Sequence, residues 1–378
     1  MKIVGRLGMA AVLVAFGLSA GSVASAEGRG AACGCGSQVV AERGALVVLP
    51  TGNDGGNDDT SNLQCAIDRA GRLGIRKVRL VEGTYYTGQI VARSFVGHLA
   101  GAGSESTIVR NLKTPLDVKR ENFYFEAPSA DNHWPSLFAF VDGRFRVSDL
   151  TIRIVGAPAL GWSIFGLEGL QALAHGITIL GTRAEATIED VVVEGEELPD
   201  DPVYGLNVYN GIFFEGFIGE DPPPIAGSLT VRHCVFRRVG SGTPIAQVKD
   251  ADVRILDNRF EDVPWGAEII DVQGSRYSFL GNHVSAWAVG LDQYDMCMSS
   301  SLGCGVSHST LAVAGNHFER AGVHLAGTLG SRVRCAVIAN DYAADVSPDV
   351  YLGPGTHDCL VVGTADVVDE GTNNHIVP

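Results

Sequence analysis

A six-residue pattern recurs through the second half of the chain at a nearly fixed interval, and that interval limits the possible folds more than any other feature. The pattern is an apolar residue, two variable residues, a small or polar residue, one variable residue and a final, usually apolar, residue. It occurs at residues 231–236 (VRHCVF), 255–260 (ILDNRF), 279–284 (FLGNHV), 313–318 (VAGNHF), 337–342 (VIANDY) and 361–366 (VVGTAD). Its fourth positions are Cys234, Asn258, Asn282, Asn316, Asn340 and Thr364, spaced 24, 24, 34, 24 and 24 residues apart. The long interval contains Cys297 and Cys304 and reads as one repeat carrying a ten-residue insertion. Residues 147–152 (VSDLTI) and 188–193 (IEDVVV) fit the same pattern with larger insertions between them. Three strands of about five residues joined by three tight turns occupy roughly 22–26 residues. A helical solenoid needs about 33 residues per repeat and a propeller blade about 40–45. The interval therefore predicts an all-β parallel β-helix, a single-stranded solenoid of about 24 residues per rung.

The asparagine column has a structural reading. Asparagine tolerates the left-handed backbone that a sharp turn between strands needs. Stacked one rung apart, near 4.8 Å, its side-chain amides can bond along the stack. Cys335 and Cys359 each lie five residues before the column and should sit on adjacent rungs, either as a disulfide or as a plain interior stack.

Composition agrees with a large folded core. The 378 residues are 46% hydrophobic and 19% charged, too apolar for a disordered chain. The 48 glycines suit many short strands and turns. A formal charge of −15 excludes a general nucleic-acid binder, which needs a basic footprint. An acidic polymer would need a local basic patch or a bridging cation. Residues 1–26 read as a secretory signal: Lys2 and Arg6, an apolar run, then Ala24-Ser25-Ala26 as a cleavage site. Residues 27–52 form an N-terminal segment and 53–378 the β-helix domain. No later stretch reaches the ~18 apolar residues of a membrane span, so no membrane insertion is expected. The protein is placed as secreted, periplasmic or at the cell surface, and as a monomer. The eight cysteines suit disulfides in that compartment. Cys33 or Cys35 would staple to Cys65, and Cys297 to Cys304.

The open end of a β-helix must be covered. Leu63, Ala66, Ile67 and Ala70 lie at i, i+3, i+4 and i+7, one apolar face of a capping helix near residues 60–71. Asp58-Asp59-Thr60 supplies N-cap groups, and Gly71 or Gly74 can end the helix. A strand at 77–81 follows, ending at Gly83-Thr84-Tyr85. The run from Asp58 through Gln64, Ala66 and Ile67 to Gly83-Thr84-Tyr85 resembles the N-terminal signature of the pectate-lyase-like superfamily. Gly101, Gly103, Ser106 and Thr107 are similar to a rung that often follows it. One departure is Val81, where that family usually has proline. The resemblance covers roughly residues 53–110. It implies a right-handed parallel β-helix and, for function, an extracellular polysaccharide as ligand or substrate. It carries no catalytic residue with it: the Asn-Thr-Asp, Gly-His-Gly, Arg-Ile-Lys and Asp-Pro-His-Asp runs of the family's enzymes are missing.

Chemistry on such a rod needs groove walls, and the insertions at residues 113–135, 156–171 and 195–227 can build them. A hydrolase needs two carboxyls about 5–9.5 Å apart. A lyase needs a base and a means of neutralising the uronate carboxylate. Lys249 and Gln273 each lie nine residues before their column asparagines, and Gln247 and Asp271 lie eleven before. Lys249, Asp271, Gln273 and, one rung on, His308 form the candidate catalytic set on an outer strand face. Asp292 and Asp295, beside Cys297, are the candidate cation ligands, with calcium as the cofactor they would take. Two functions follow: a polysaccharide-binding lyase or hydrolase, or a non-catalytic β-helix that binds glycan at a cell surface.

Overall fold

The computed structural model describes residues 35–52, 58–112, 136–156, 174–197, 207–215, 225–263, 265–286, 294–297, 306–319, 322–325, 333–343 and 347–378. The sequence signal at residues 1–26, and with it Cys33, Asp292 and Cys304, lies outside them.

Each rung contributes a strand to three parallel sheets. The first sheet includes Lys77–Leu80, Ala226–Arg232, Asp252–Leu256, Arg276–Leu280, Thr310–Ala314, Arg334–Ile338 and Leu360–Val362. The second includes Gly83–Thr87, Thr107–Asn111, Val235–Arg237, Arg259–Val263, His283–Ala286, His317–Glu319 and Asp341–Tyr342. The third includes Val208–Glu215, Ser241–Lys249, Trp265–Gln273, Gly322–Leu325 and Val350–Leu352. Two long strands, Ser136–Arg153 and Ala174–Glu194, bend through all three sheets. The register follows the repeat: Leu229 pairs with Val253, Val253 with Tyr277, and Tyr277 with Leu311 across the long interval. The two outlying segments join it, with Val147 opposite Ile188 and Ile188 opposite Val231.

Alternate residues of each strand point inward and stack into apolar ladders, Val231, Ile255, Phe279, Val313, Val337 and Val361 forming one of them. Aromatic rings run beside it. The Phe236 and Phe260 rings stack at 4.9 Å, and those of Phe318 and Tyr342 at 5.2 Å.

The asparagine column is buried and continuous. Asn258 donates to Asn282 Oδ1 at 3.0 Å, Asn282 to Asn316 at 3.1 Å, and Asn316 to Asn340 at 2.9 Å. Each oxygen also accepts the backbone N–H of the preceding rung, beginning with Cys234 N–H to Asn258 Oδ1 at 2.9 Å. The left-handed conformation, however, belongs to the residue before each asparagine: Asp257, Gly281, Gly315 and Ala339 have φ of 53°, 67°, 63° and 52°. The turn is made there, and the asparagine is left free to point inward and satisfy backbone groups. Cys234 heads the column as a buried free thiol, pushed up to about 12 by burial.

The helix Thr60–Leu73 covers the N-terminal end of the core with Leu63, Ala66, Ile67 and Ala70, and Gly74 in the left-handed conformation ends it. Asp59 does not cap it through its side chain. Its carboxylate instead accepts the N–H groups of Thr51 (2.9 Å) and Tyr86 (3.1 Å), tying the strand after the helix to the segment before it. Gln64 bonds both backbone groups of Val91, at 2.9 and 2.7 Å. Those contacts explain why an acid and a glutamine occur at these positions of the signature. Cys35 and Cys65 form the expected staple, and Cys335 and Cys359 are a disulfide between adjacent rungs rather than a plain stack.

Candidate functional site

The third sheet carries an outer face unlike the other two. It starts at a corner built of glycines. A Cβ on Gly211 would lie 2.5 Å from the Phe236 ring, and one on Gly242 2.3 Å from the Phe260 ring. Gly176 and Gly266 face the core in the same way, toward Val193 and Val284. Because these glycines point inward, the residue before each one points out. That outer column is His175, Asn210, Ser241 and Trp265, in register on successive rungs.

Beyond the corner the strands turn their apolar residues inward again, at Ile179, Phe214, Ile245 and Ile269. Thr178, Phe213, Pro244 and Glu268 then form one outer column, and Leu180, Glu215 and Ala246 the next. Outward residues on a solvated sheet are exposed. Here Thr178, Leu180, Phe213, Glu215 and Ala246 are all buried, yet the three apolar ones stand apart from the main core.

Polar groups enclosed in this way ordinarily have hydrogen-bond partners. His175 Nδ1 lies 3.0 Å from the Asn210 amide, and its ring stacks on Phe213 at 5.5 Å. Burial drives the imidazole down to about 3, so it is neutral. Thr178 Oγ1, Asn210 Oδ1 and Glu215 Oε2 have no hydrogen-bond partner among the described residues. Burial pushes the Glu215 carboxyl well above the usual range. Glu268 is half-buried; burial raises its carboxyl to about 7 against the opposing hydrogen bond of Ser241. Glu215 pairs with Ala246, and Pro244 with Glu268. The two acids are therefore two rungs and two residues apart, about 12 Å between Cα atoms. Both retain a proton at pH values where an exposed carboxyl has lost it.

The residues singled out in the sequence lie at the far end of the same sheet. Lys249 and Gln273 pair on adjacent strands, and both are exposed. Ser307, not His308, stands opposite Gln273. His308 falls one residue later, in the left-handed turn (φ 52°) that Asp250 and Gly274 form on the preceding rungs. Asp271 lies in the same strand as Gln273, but its side chain, like that of Asp295, is outside the described residues. The buried row from His175 to Glu268 escaped the sequence reading. Its signal was faint: single acids inside apolar strand runs, as in Phe213-Phe214-Glu215 and Ala267-Glu268-Ile269.

No family model and no curated protein matches the sequence. Solved structures do. Tailspike protein 2 of the Escherichia coli O157:H7 bacteriophage CAB120 is 11% identical with a TM-score of 0.51, over 82% of this chain and 36% of its own. The chain thus spans little more than a third of that tailspike. The surface adhesin PfbA of Streptococcus pneumoniae is 15% identical, TM-score 0.48, over 86% of this chain and 88% of its own. The polygalacturonase of Erwinia carotovora is 13% identical, TM-score 0.43, over 87% and 96%. With its three parallel sheets, its asparagine ladder and its helical cap, the chain is a right-handed parallel β-helix, the fold of the pectate-lyase-like superfamily.

Proposed function

We propose that the outer face of the third sheet binds an extracellular glycan and that Glu268 donates a proton in its cleavage. One observation carries the reading: a row of enclosed polar groups with unused hydrogen-bonding capacity adjoins a half-open carboxyl that keeps its proton to about pH 7. Sugar hydroxyls both donate and accept, and would satisfy Thr178, Asn210 and Glu215. Phe213 offers an apolar surface between them. Breaking a glycosidic bond requires a proton on the leaving oxygen, which a carboxylic acid with a raised pKa supplies. Glu215, the second acid on this face, is placed farther away than the ~5.5 Å of a retaining pair, a spacing that suits a water between the two groups. The N-terminal signature, which resembles that of polysaccharide-active proteins, leads to the same substrate class.

The test is a panel of neutral and acidic polysaccharides incubated with purified protein. New reducing ends and the ultraviolet absorbance of an unsaturated uronate are both followed. Reducing ends without absorbance, reduced at least ~100-fold in Glu268→Gln, support the proposal. Absorbance would replace it with a lyase. Binding without cleavage would leave the face a glycan receptor and remove the catalytic role of Glu268.

A further inference from the structure

The second sheet holds a different cluster, on its own outer face. His283, His317 and Asp341 occupy one column on three successive rungs, and Glu319 lies two residues after His317 on the same side of the strand. Glu319 Oε1 is 3.5 Å from His317 Nε2 and 3.6 Å from His283 Nε2. The ligand atoms of these three residues all lie within 4.8 Å of one another. The two imidazole rings sit 4.9 Å apart.

These distances match a metal's requirements. Ligands 2.0–2.1 Å from a tetrahedral zinc ion are separated by about 3.3 Å. A parallel sheet places side chains of neighbouring rungs about 4.8 Å apart, so two histidines stacked this way need only tilt toward a common point. The outer neighbour of His317 favours the arrangement. Asp341 Oδ2 is 2.7 Å from His317 Nδ1, which fixes Nδ1 as the protonated nitrogen and leaves the Nε2 lone pair facing Glu319. A carboxylate behind a histidine is the usual outer partner of a metal ligand. The hydrogen bond from Ser285, together with the two imidazoles, keeps the Glu319 carboxyl below its usual range, so it is an anion. Arg259, the next cation along the column, is engaged by Glu261 at 2.9 Å and does not compete for Glu319.

We propose that His283, His317 and Glu319 bind a divalent transition metal, zinc in the first instance, with Asp341 orienting His317. Two imidazoles select such a metal over calcium or magnesium, whose ligands are oxygens. Three protein ligands leave a fourth position, and about two-fifths of each ligating side chain is exposed, so that position opens to solvent.

The experiment is calorimetric titration of chelator-stripped, tag-free protein with zinc chloride. One equivalent should bind, with no comparable heat from calcium or magnesium. His317→Ala should weaken binding at least ~100-fold, and Asp341→Asn about 10–100-fold with the stoichiometry kept. Zinc should raise the unfolding temperature of the wild type and leave that of a His283→Ala/His317→Ala double variant unchanged. Cobalt titrated into the wild type should give the visible bands of a tetrahedral site, a readout independent of any variant's folding. Absence of zinc binding, undiminished binding in the double variant, or an octahedral cobalt spectrum would overturn the site.

Discussion

Asn282 donates its side-chain amide to Asn316 at 3.1 Å across 34 residues of sequence, the same bond that Asn258 makes to Asn282 across 24. The ladder is indifferent to how much chain separates two rungs. Asn282 also donates to Ile255 O at 3.0 Å and accepts from the backbone of Asn258 at 2.9 Å. Replacing it with alanine strands several buried groups, each costing about 1–3 kcal/mol. Asn282→Ala should therefore lower the unfolding free energy by roughly 3 kcal/mol in a urea titration. Asn340→Ala, nearer the end of the ladder and only half-buried, should cost less.

A methyl group at Gly242 has no room. Its Cβ would meet the Phe260 ring at 2.3 Å and the Gly266 carbonyl at 2.8 Å. The backbone there is not left-handed, so the penalty is purely one of overpacking. Gly242→Ala should destabilise by about 1–3 kcal/mol, and Gly242→Ala with Phe260→Leu should recover part of the loss. Gly71→Ala, on an open side of the helix with nothing within 4 Å, should cost nothing and slightly favour the helix. Thermal unfolding of the three variants checks the set.

The disulfide between Cys335 and Cys359 encloses one full rung, a separation of 24 residues. Cross-linking a loop of that size restricts the unfolded chain and is worth about 3 kcal/mol. Cys335→Ala/Cys359→Val should lower stability by about that amount, and added reductant should have no further effect through this bond. A double variant as stable as the wild type would show that the ladder alone holds these rungs.

Glu268 links stability to pH. Its folded pKa lies near 7, above the ordinary 4.5, so the folded state holds the proton more tightly. The stabilisation is complete below about pH 4.5 and is lost as pH rises through about 7. Relative to Glu268→Gln, which cannot titrate, the wild type should lose about 1–3 kcal/mol across that window. If Glu268 is the proton donor, cleavage should fall along the same alkaline limb. A pH series of denaturant curves on both proteins, with turnover measured in parallel, separates the two effects.

The fold was legible because its physics is periodic. A rung must bury the same positions each time, so Val231 to Val361 repeat at one interval, and the asparagines repeat with them. The capping helix was legible for the same reason, through Leu63, Ala66, Ile67 and Ala70. What the sequence hid was conformational detail at single residues. The left-handed turn had no one side chain to announce it, being aspartate at 257, glycine at 281 and 315, and alanine at 339. The functional face was hidden more deeply. His175, Asn210 and Ser241 are aligned by pairing across intervals of 35 and 31 residues, which no fixed period reveals. His283, His317 and Glu319 lay within the repeat, but their alternation reads as an ordinary outer strand face until side-chain distances are known.

The long stretches outside the regular rungs all open beside strands of the third sheet, never at the asparagine turn between the first and second sheets. Two sides of the prism thus act as a fixed spine, and the third is the side on which length can vary. An insertion or deletion at those borders changes what overhangs one face without moving any strand by a single register step. The same spine could be kept through many changes of ligand, with new specificity written entirely in the segments that enter and leave one sheet.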